Sequence, residues 1–396
     1  MTPDKNLESD GFEEKENCKV TDKHPFLSYF RLLLSSKLVY IPLIITAISL
    51  VISFVSVISS SFAEFYSRTA GSFIRMVLAK ITGILPFSLA ETLLAGFVLF
   101  LLWCMFRSVQ TLIARTDTCE FEDRANKVFI CVFLCAFSLY NFSFAPSNHR
   151  TPLDKNLGLE RNPVSAEQLY DCMIKVSDEL KICLDMGDIR RTPDGLSCMP
   201  YSYDELNDVL NEAYRNSYDK YPFLSRFDSV AKRIMLSPLM TYTHISGIYV
   251  PFTGEININT NYPDSVIVFS QAHEMAHQRG ISREDEANFI AFLVLFESDD
   301  YYLRYCALSE LYDYLSNALY SADEKLFYEA FYAADKRIFY EILGFNDFFT
   351  PYQNSAASAV MDTVNDVSIK LRGDSNGVNS YNMMVELAVS YFEKLN

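Results

Sequence analysis

The sequence predicts a mainly α-helical protein in two parts, a three-helix membrane anchor followed by a mostly helical domain with one small β-hairpin. Three observations predict it. Three long stretches within the first 150 residues are almost free of charge. Apolar residues recur at helical spacing through most of the remainder. Only residues 246–260 alternate as a strand does.

Composition and charge agree with this division. Half of the 396 residues are hydrophobic, which excludes a disordered chain. With 13 Gly and 14 Pro, collagen-like and Pro/Gly-rich classes fail as well. Residues 1–150 hold 14 Lys+Arg and 13 Asp+Glu, net +1, whereas residues 151–396 hold 20 and 37, net −17. Such acidity argues against nucleic-acid partners, because phosphate neutralisation needs Lys and Arg.

Residues 1–37 form a polar tail of mixed charge, unlike a cleavable signal peptide. The anchor covers 38–149. Its uncharged stretches run from Leu38 to Ala63, from Ile81 to Phe106 with only Glu91 interrupting, and from Val128 to His149. Spanning helices need about 20 apolar residues, which places them near 38–63, 84–106 and 128–147. The tail carries Lys5, Lys15, Lys19, Lys23, Arg31 and Lys37, and the segment after the second helix carries Arg107, Arg115, Arg124 and Lys127. Between the first two helices there are only Arg68, Arg75 and Lys80. Positive charge stays inside, so the tail is expected to be cytoplasmic and the domain 150–396 extracytoplasmic, with the lipid bilayer as a partner. Cys172, Cys183, Cys198 and Cys306 in that domain allow two disulfides in an oxidising compartment, and the absence of a C-x-x-C pair argues against a thiolate zinc site.

Beyond residue 160 the expected helices are 164–184, 203–216, 265–278, 283–297, 301–319, 324–342, 354–371 and 379–394. Capping boxes are expected where Ser282 precedes Asp285 and Ser321 precedes Glu324. Gly280 suits a helix C-terminus. The strand region runs from Gly247-Ile-Tyr-Val-Pro-Phe through Thr253-Gly254 to Glu255-Ile-Asn-Ile-Asn259. The run Phe289–Phe296 is too short to span a membrane and reads as a core helix.

Chemistry concentrates in His273-Glu274-Met-Ala-His277, an H-E-x-x-H pattern. On a helix, residues four apart share a face, so both imidazoles reach one ion. Glu274 is then the candidate general base for a water activated by that ion. Zinc is the expected cofactor for two imidazoles and a carboxylate. A third histidine six residues after the second would signal a metzincin, but Arg283 stands there. Glu286 is the favoured third ligand and Glu297 the alternative. Glu284 and Asp285 read as acids favoured by a helix N-terminus, and His244 is a further conceivable ligand.

The segments Gly247–Asn259 and His273-Glu-Met-Ala-His-Gln-Arg-Gly-Ile-Ser-Arg-Glu-Asp-Glu-Ala-Asn-Phe289, with Gly377-Val-Asn-Ser-Tyr381 near the end, resemble an uncharacterised family of bacterial multi-pass membrane proteins. That family is a domain of unknown function similar to zinc metallopeptidases of the glutamate type, and the likeness covers nearly the whole chain. The resemblance implies a zincin-like domain over 150–396. In such enzymes an edge strand upstream of the H-E-x-x-H helix holds an extended peptide, which makes Asn257 and Asn259 candidate substrate contacts. The expected function is therefore a membrane-anchored zinc metalloendopeptidase acting on a peptide or protein of the envelope or exterior. The alternative is a non-catalytic sensory or scaffolding protein that keeps a zinc-binding fold.

Overall fold

A computed structural model describes residues 36–114, 119–353 and 381–395. Residues 1–35 of the tail, the expected helix 354–371 and Gly377–Ser380 lie outside these residues. Three helices are long and apolar enough to cross a membrane, over Lys37–Ile58, Leu89–Arg107 and Ala125–His149. They mark the chain as membrane-associated.

The first, α1 (Lys37–Ile58), ends where Ser59 turns extended and its side chain caps α2 (Ser60–Tyr66). A short π-helical turn leads into α3 (Ser72–Gly83). The second apolar helix lies within α4 (Leu89–Ala114), and the third begins in α5 (Cys119–Ser143) and runs on through a short 3-10 turn, Ala145–His149. Helices α1 and α5 pack along a polar seam. There Thr46 Oγ1 meets Ser138 Oγ at 2.8 Å, and Ser53 donates to Asn141 Oδ1 at 2.8 Å.

The remainder is a helical body around a three-stranded sheet. Short α6 (Leu153–Leu157) precedes α7 (Ala166–Met186) and α8 (Tyr203–Ser217). Capping boxes at Ser165 and Ser202 start the last two. Strand β1 (Ala231–Arg233) and short α9 (Ser237–Thr241) lead to β2 (Gly247–Val250) and β3 (Glu255–Ile258). The order is β1-β3-β2, with β1 parallel and β2 antiparallel to the central β3. The hairpin is the expected one; the three-residue β1 carries too little alternation to be read from sequence.

Helices α10 (Asp264–Gln278), α11 (Glu284–Phe296) and α12 (Tyr301–Ala322) form the centre, and α11 is buried from Asp285 to Leu295. The expected helix 324–342 is two, α13 (Glu324–Ala333) and α14 (Ile338–Phe349). Asp335 causes the break, because its carboxylate accepts from Arg337 N at 2.9 Å and fixes a turn. Helix α15 (Tyr381–Lys394) closes the body.

Two caps differ from expectation. The residue before α11 is Arg283, and Ser282 Oγ instead donates to Ser147 O at 2.9 Å. Asp323, not Ser321, caps α13 by accepting from Leu326 N. The thiols of Cys172, Cys183, Cys198 and Cys306 are all free in this structure.

Side chains from the two sides of residue 150 bond one another. Arg75 on α3 is fully buried and donates to Ser67 O, Ser143 O and Ser225 Oγ. Arg150 clamps the Glu64 carboxylate with two bonds of 2.9 Å and also donates to Gly280 O and Phe223 O. On β3, Glu255 accepts from the first two amides of α4, Leu89 N and Ala90 N, satisfying donors that a helix start leaves open.

Candidate metal centre

Helix α10 carries His273, Glu274 and His277. Their geometry is set by how the helix ends. Gly280 takes φ +97°, a left-handed conformation that glycine adopts without strain. Gly280 N then reaches His277 O at 3.0 Å, and Ile281 N reaches Ala276 O at 3.1 Å, the paired bonds of a Schellman turn. That turn presents Ile281 O to His277 Nδ1 at 2.7 Å. A carbonyl can only accept, so Nδ1 carries the proton and Nε2 keeps its lone pair.

The turn also brings the first residue of α11 back over α10. Glu284 Oε2 lies 3.3 Å from His273 Nε2 and 3.3 Å from His277 Nε2. The two rings stand edge to face with centroids 4.6 Å apart. One ligand atom from each of the three residues falls within 4.8 Å of the others. No other such group of three occurs among the described residues. A tetrahedral zinc with bonds near 2.1 Å holds neighbouring ligand atoms about 3.4 Å apart. The spacing from Glu284 to each imidazole fits that ion, as does the donor set of two nitrogens and one carboxylate.

Electrostatics point the same way. Burial opposes a charge on His273, but Glu284, Glu274 and Asn288 outweigh it and raise its pKa. Burial would likewise raise Glu284, yet the two imidazoles hold it well below the usual carboxylate range. The carboxylates around the two imidazoles thus favour positive charge on them.

Glu274 is buried, and burial raises its pKa despite the neighbouring histidines. It packs against the start of β2, where a Cβ on Gly247 would stand 2.9 Å from Glu274 Cγ and 3.1 Å from its Oε1. Glycine is needed there for close approach. Strand β2 is an edge of the sheet, so its outer side runs beside Glu274.

Glu286 sits elsewhere. Its Oε1 accepts from Leu153 N at 2.9 Å, near Arg161 and Arg283, and burial beside Asp285 pushes its carboxyl up to about 7. Glu297, thirteen residues from Glu284, is about 20 Å away along the helix axis. It accepts from Lys220, Tyr221 OH and Tyr391 OH. The carboxylate that stands beside both histidines is Glu284, which by sequence reads as a helix-start acid. Successive helical residues turn about 100°, so Glu284, Asp285 and Glu286 face the histidines, Arg161 with Arg283, and Leu153 respectively.

Asn257 and Asn259 do not face the site. Asn257 is buried on the central strand and Asn259 just beyond its end, where it donates to Thr241 Oγ1 and Ile245 O. His244 pairs with Tyr352 O instead of joining the cluster. Arg279 is wholly internal, stacked over Tyr214 at 4.1 Å and bonded to Phe227 O. Glu310 of α12 was not anticipated. Burial near Asp313 pushes its carboxyl up to about 7, against the pull of Tyr314 and of the nearby His273. Its helical spacing carried no signal for this.

Fold and site together define a membrane-associated helical protein with a candidate centre of two histidines and one carboxylate. The chain belongs to the family described as Protein of unknown function (DUF3810), which it matches over residues 66–389. The match begins after α1 and includes the whole candidate centre. No curated protein and no solved structure matches the chain.

Proposed function

We propose that this chain is a multi-pass membrane protein whose outward-facing domain is a zinc-dependent peptidase. The observation that carries the reading is the meeting of His273 Nε2 and His277 Nε2 at one oxygen of Glu284, with Glu274 alongside. His273, His277 and Glu284 would hold the ion. When bound, zinc polarises a carbonyl and acidifies a water molecule.

The chain's own residues supply the rest. Glu274 receives a proton from the attacking water at a carboxylate oxygen and later delivers it to the departing amine. Burial raises its pKa, which favours its taking up a proton from the attacking water. The His277–Ile281 bond keeps the imidazole from rotating away. An extended peptide would add along β2, an edge strand of the sheet, a mode that needs no particular side chains from the substrate. Asn257 and Asn259 have no part in this. Lys and Arg on the tail and on the 107–127 segment support a cytoplasmic location for both, with the peptidase domain on the opposite side.

Glu274→Gln tests the reading. The variant should keep wild-type zinc content and lose cleavage of an unbiased peptide library by about 10²–10⁴-fold. Full activity in Glu274→Gln would refute the assigned base. A zinc-loaded wild type that cleaves nothing would favour a sensory or scaffolding role.

A further inference from the structure

The segment between β1 and β2 leaves large apolar side chains uncovered. Met235 is 82% exposed, Leu236 60% and Leu239 65%. The same body buries every residue from Phe289 to Leu295 almost completely. A contiguous apolar patch of this kind marks a surface that meets something other than water.

Its position says what it meets. Met235 N donates to both oxygens of Glu91, at 3.1 and 3.2 Å. Glu91 lies two residues into α4, about 3 Å along the axis from its start. Lys232, just before, donates to the backbone oxygens of Leu85 and Gly83. Glu255 on the neighbouring strand holds the first amides of the same helix. Three side chains thus tie this part of the sheet to the first turn of α4 and to the residues just before it, and the apolar stretch of α4 is not buried inside the protein at all. The patch continues onto the approach to that helix, where Ile84 is 82% and Phe87 46% exposed. Leu236 immediately precedes α9 and Leu239 lies three residues on, within it. Tyr242, 40% exposed, follows at the same spacing, an amphipathic ring suited to the headgroup level.

We infer that Met235, Leu236 and Leu239 form a second membrane contact, a wedge seated in the headgroup–acyl boundary of the leaflet that α4 enters. The occupant is lipid, because the patch is continuous with a lipid-facing helix end. This inference is independent of zinc and peptidase chemistry. It rests only on the reading that α4 spans the bilayer. The wedge lies eight residues before Gly247 and keeps the outer strand close to the bilayer, which favours substrate segments at the membrane surface.

The chain's one tryptophan, Trp103, lies in α4 and serves as an internal standard. The full chain is placed in phosphatidylcholine vesicles with or without brominated acyl chains, and emission is compared. Met235→Trp and Leu239→Trp, each combined with Trp103→Phe, report on the wedge. Tyr332→Trp in the same background, on a residue 79% exposed in α13, reports on the aqueous side. All three sites are exposed, so a new indole demands no repacking. The expected result is a loss of emission in brominated lipid for both wedge variants, comparable to that of Trp103, with little quenching by aqueous iodide. Tyr332→Trp should show the reverse. If Trp103 is quenched by lipid while the wedge variants are quenched by iodide, the wedge is overturned and the spanning reading stands. If the wedge variants respond to neither quencher, protein covers the patch and the inference fails. If Trp103 itself escapes the brominated lipid, the spanning reading fails and takes the wedge with it.

Discussion

Replacing Glu284 by glutamine separates the candidate centre from its neighbours. The side chain keeps its shape but loses the charge that sits 3.3 Å from both imidazoles. Structural zinc sites with four ligands bind with roughly 10–16 kcal/mol, or about 2.5–4 kcal/mol per ligand. Loss of one should therefore weaken zinc by about 10²–10³-fold. Glutamine at the first helical position gives up a favourable dipole contact of only about 0.3–1 kcal/mol, so the fold should persist. The assay is metal content of the purified full chain by mass spectrometry, with affinity from competition against a chromophoric chelator. Glu286→Gln and Glu297→Gln run in parallel and should keep their zinc, since their carboxylates serve Leu153 N and the Lys220–Tyr221–Tyr391 group. If Glu284→Gln binds zinc like wild type while either of the others loses it, the assignment drawn from geometry is refuted.

Three further outcomes are expected. Gly247→Ala places a Cβ 2.9 Å from Glu274 Cγ, so peptide cleavage should fall by about 10²-fold while zinc content stays unchanged, and equal activity would sink the close-packing argument. Gly280→Ala sets a side chain at φ +97° and 2.7 Å from Arg75 Nη2, which should lower the thermal midpoint through a loss of more than about 1 kcal/mol; an unchanged midpoint contradicts it. Asp219→Cys, at a side chain 96% exposed, should react with an impermeant maleimide on intact cells, and protection there would invert the orientation.

The helices and the hairpin could be read because their signals are local. Apolar spacing in α10 and α11, and the alternation from Glu255 to Asn259, depend only on near neighbours. Glu284 could not be read in the same way. Three acids stand in a row, and which of them meets the histidines depends on the residue at which α11 starts, itself set by Gly280 and the Schellman turn. Asn257 and Asn259 were misplaced for a similar reason. Alternation reveals a face but not the order of strands, and β1 makes β3 the centre of the sheet. The break before α14 hangs on one aspartate turned to its own backbone, a contact that helical periodicity does not register.

The clasp between β3 and α4 has a practical consequence for dissection of the protein. A water-soluble fragment cut at residue 150 would discard Glu64, Arg75 and Leu89 together. It would strip Arg150 of its carboxylate, Ser225 of its guanidinium partner and Glu255 of both amides. Gly280, whose turn aims His277, would lose the wall it rests on, since Arg75 borders it directly. Failure of such a fragment to fold or to hold metal would thus follow from the cut itself, and biochemistry on this family calls for the whole chain in detergent or lipid.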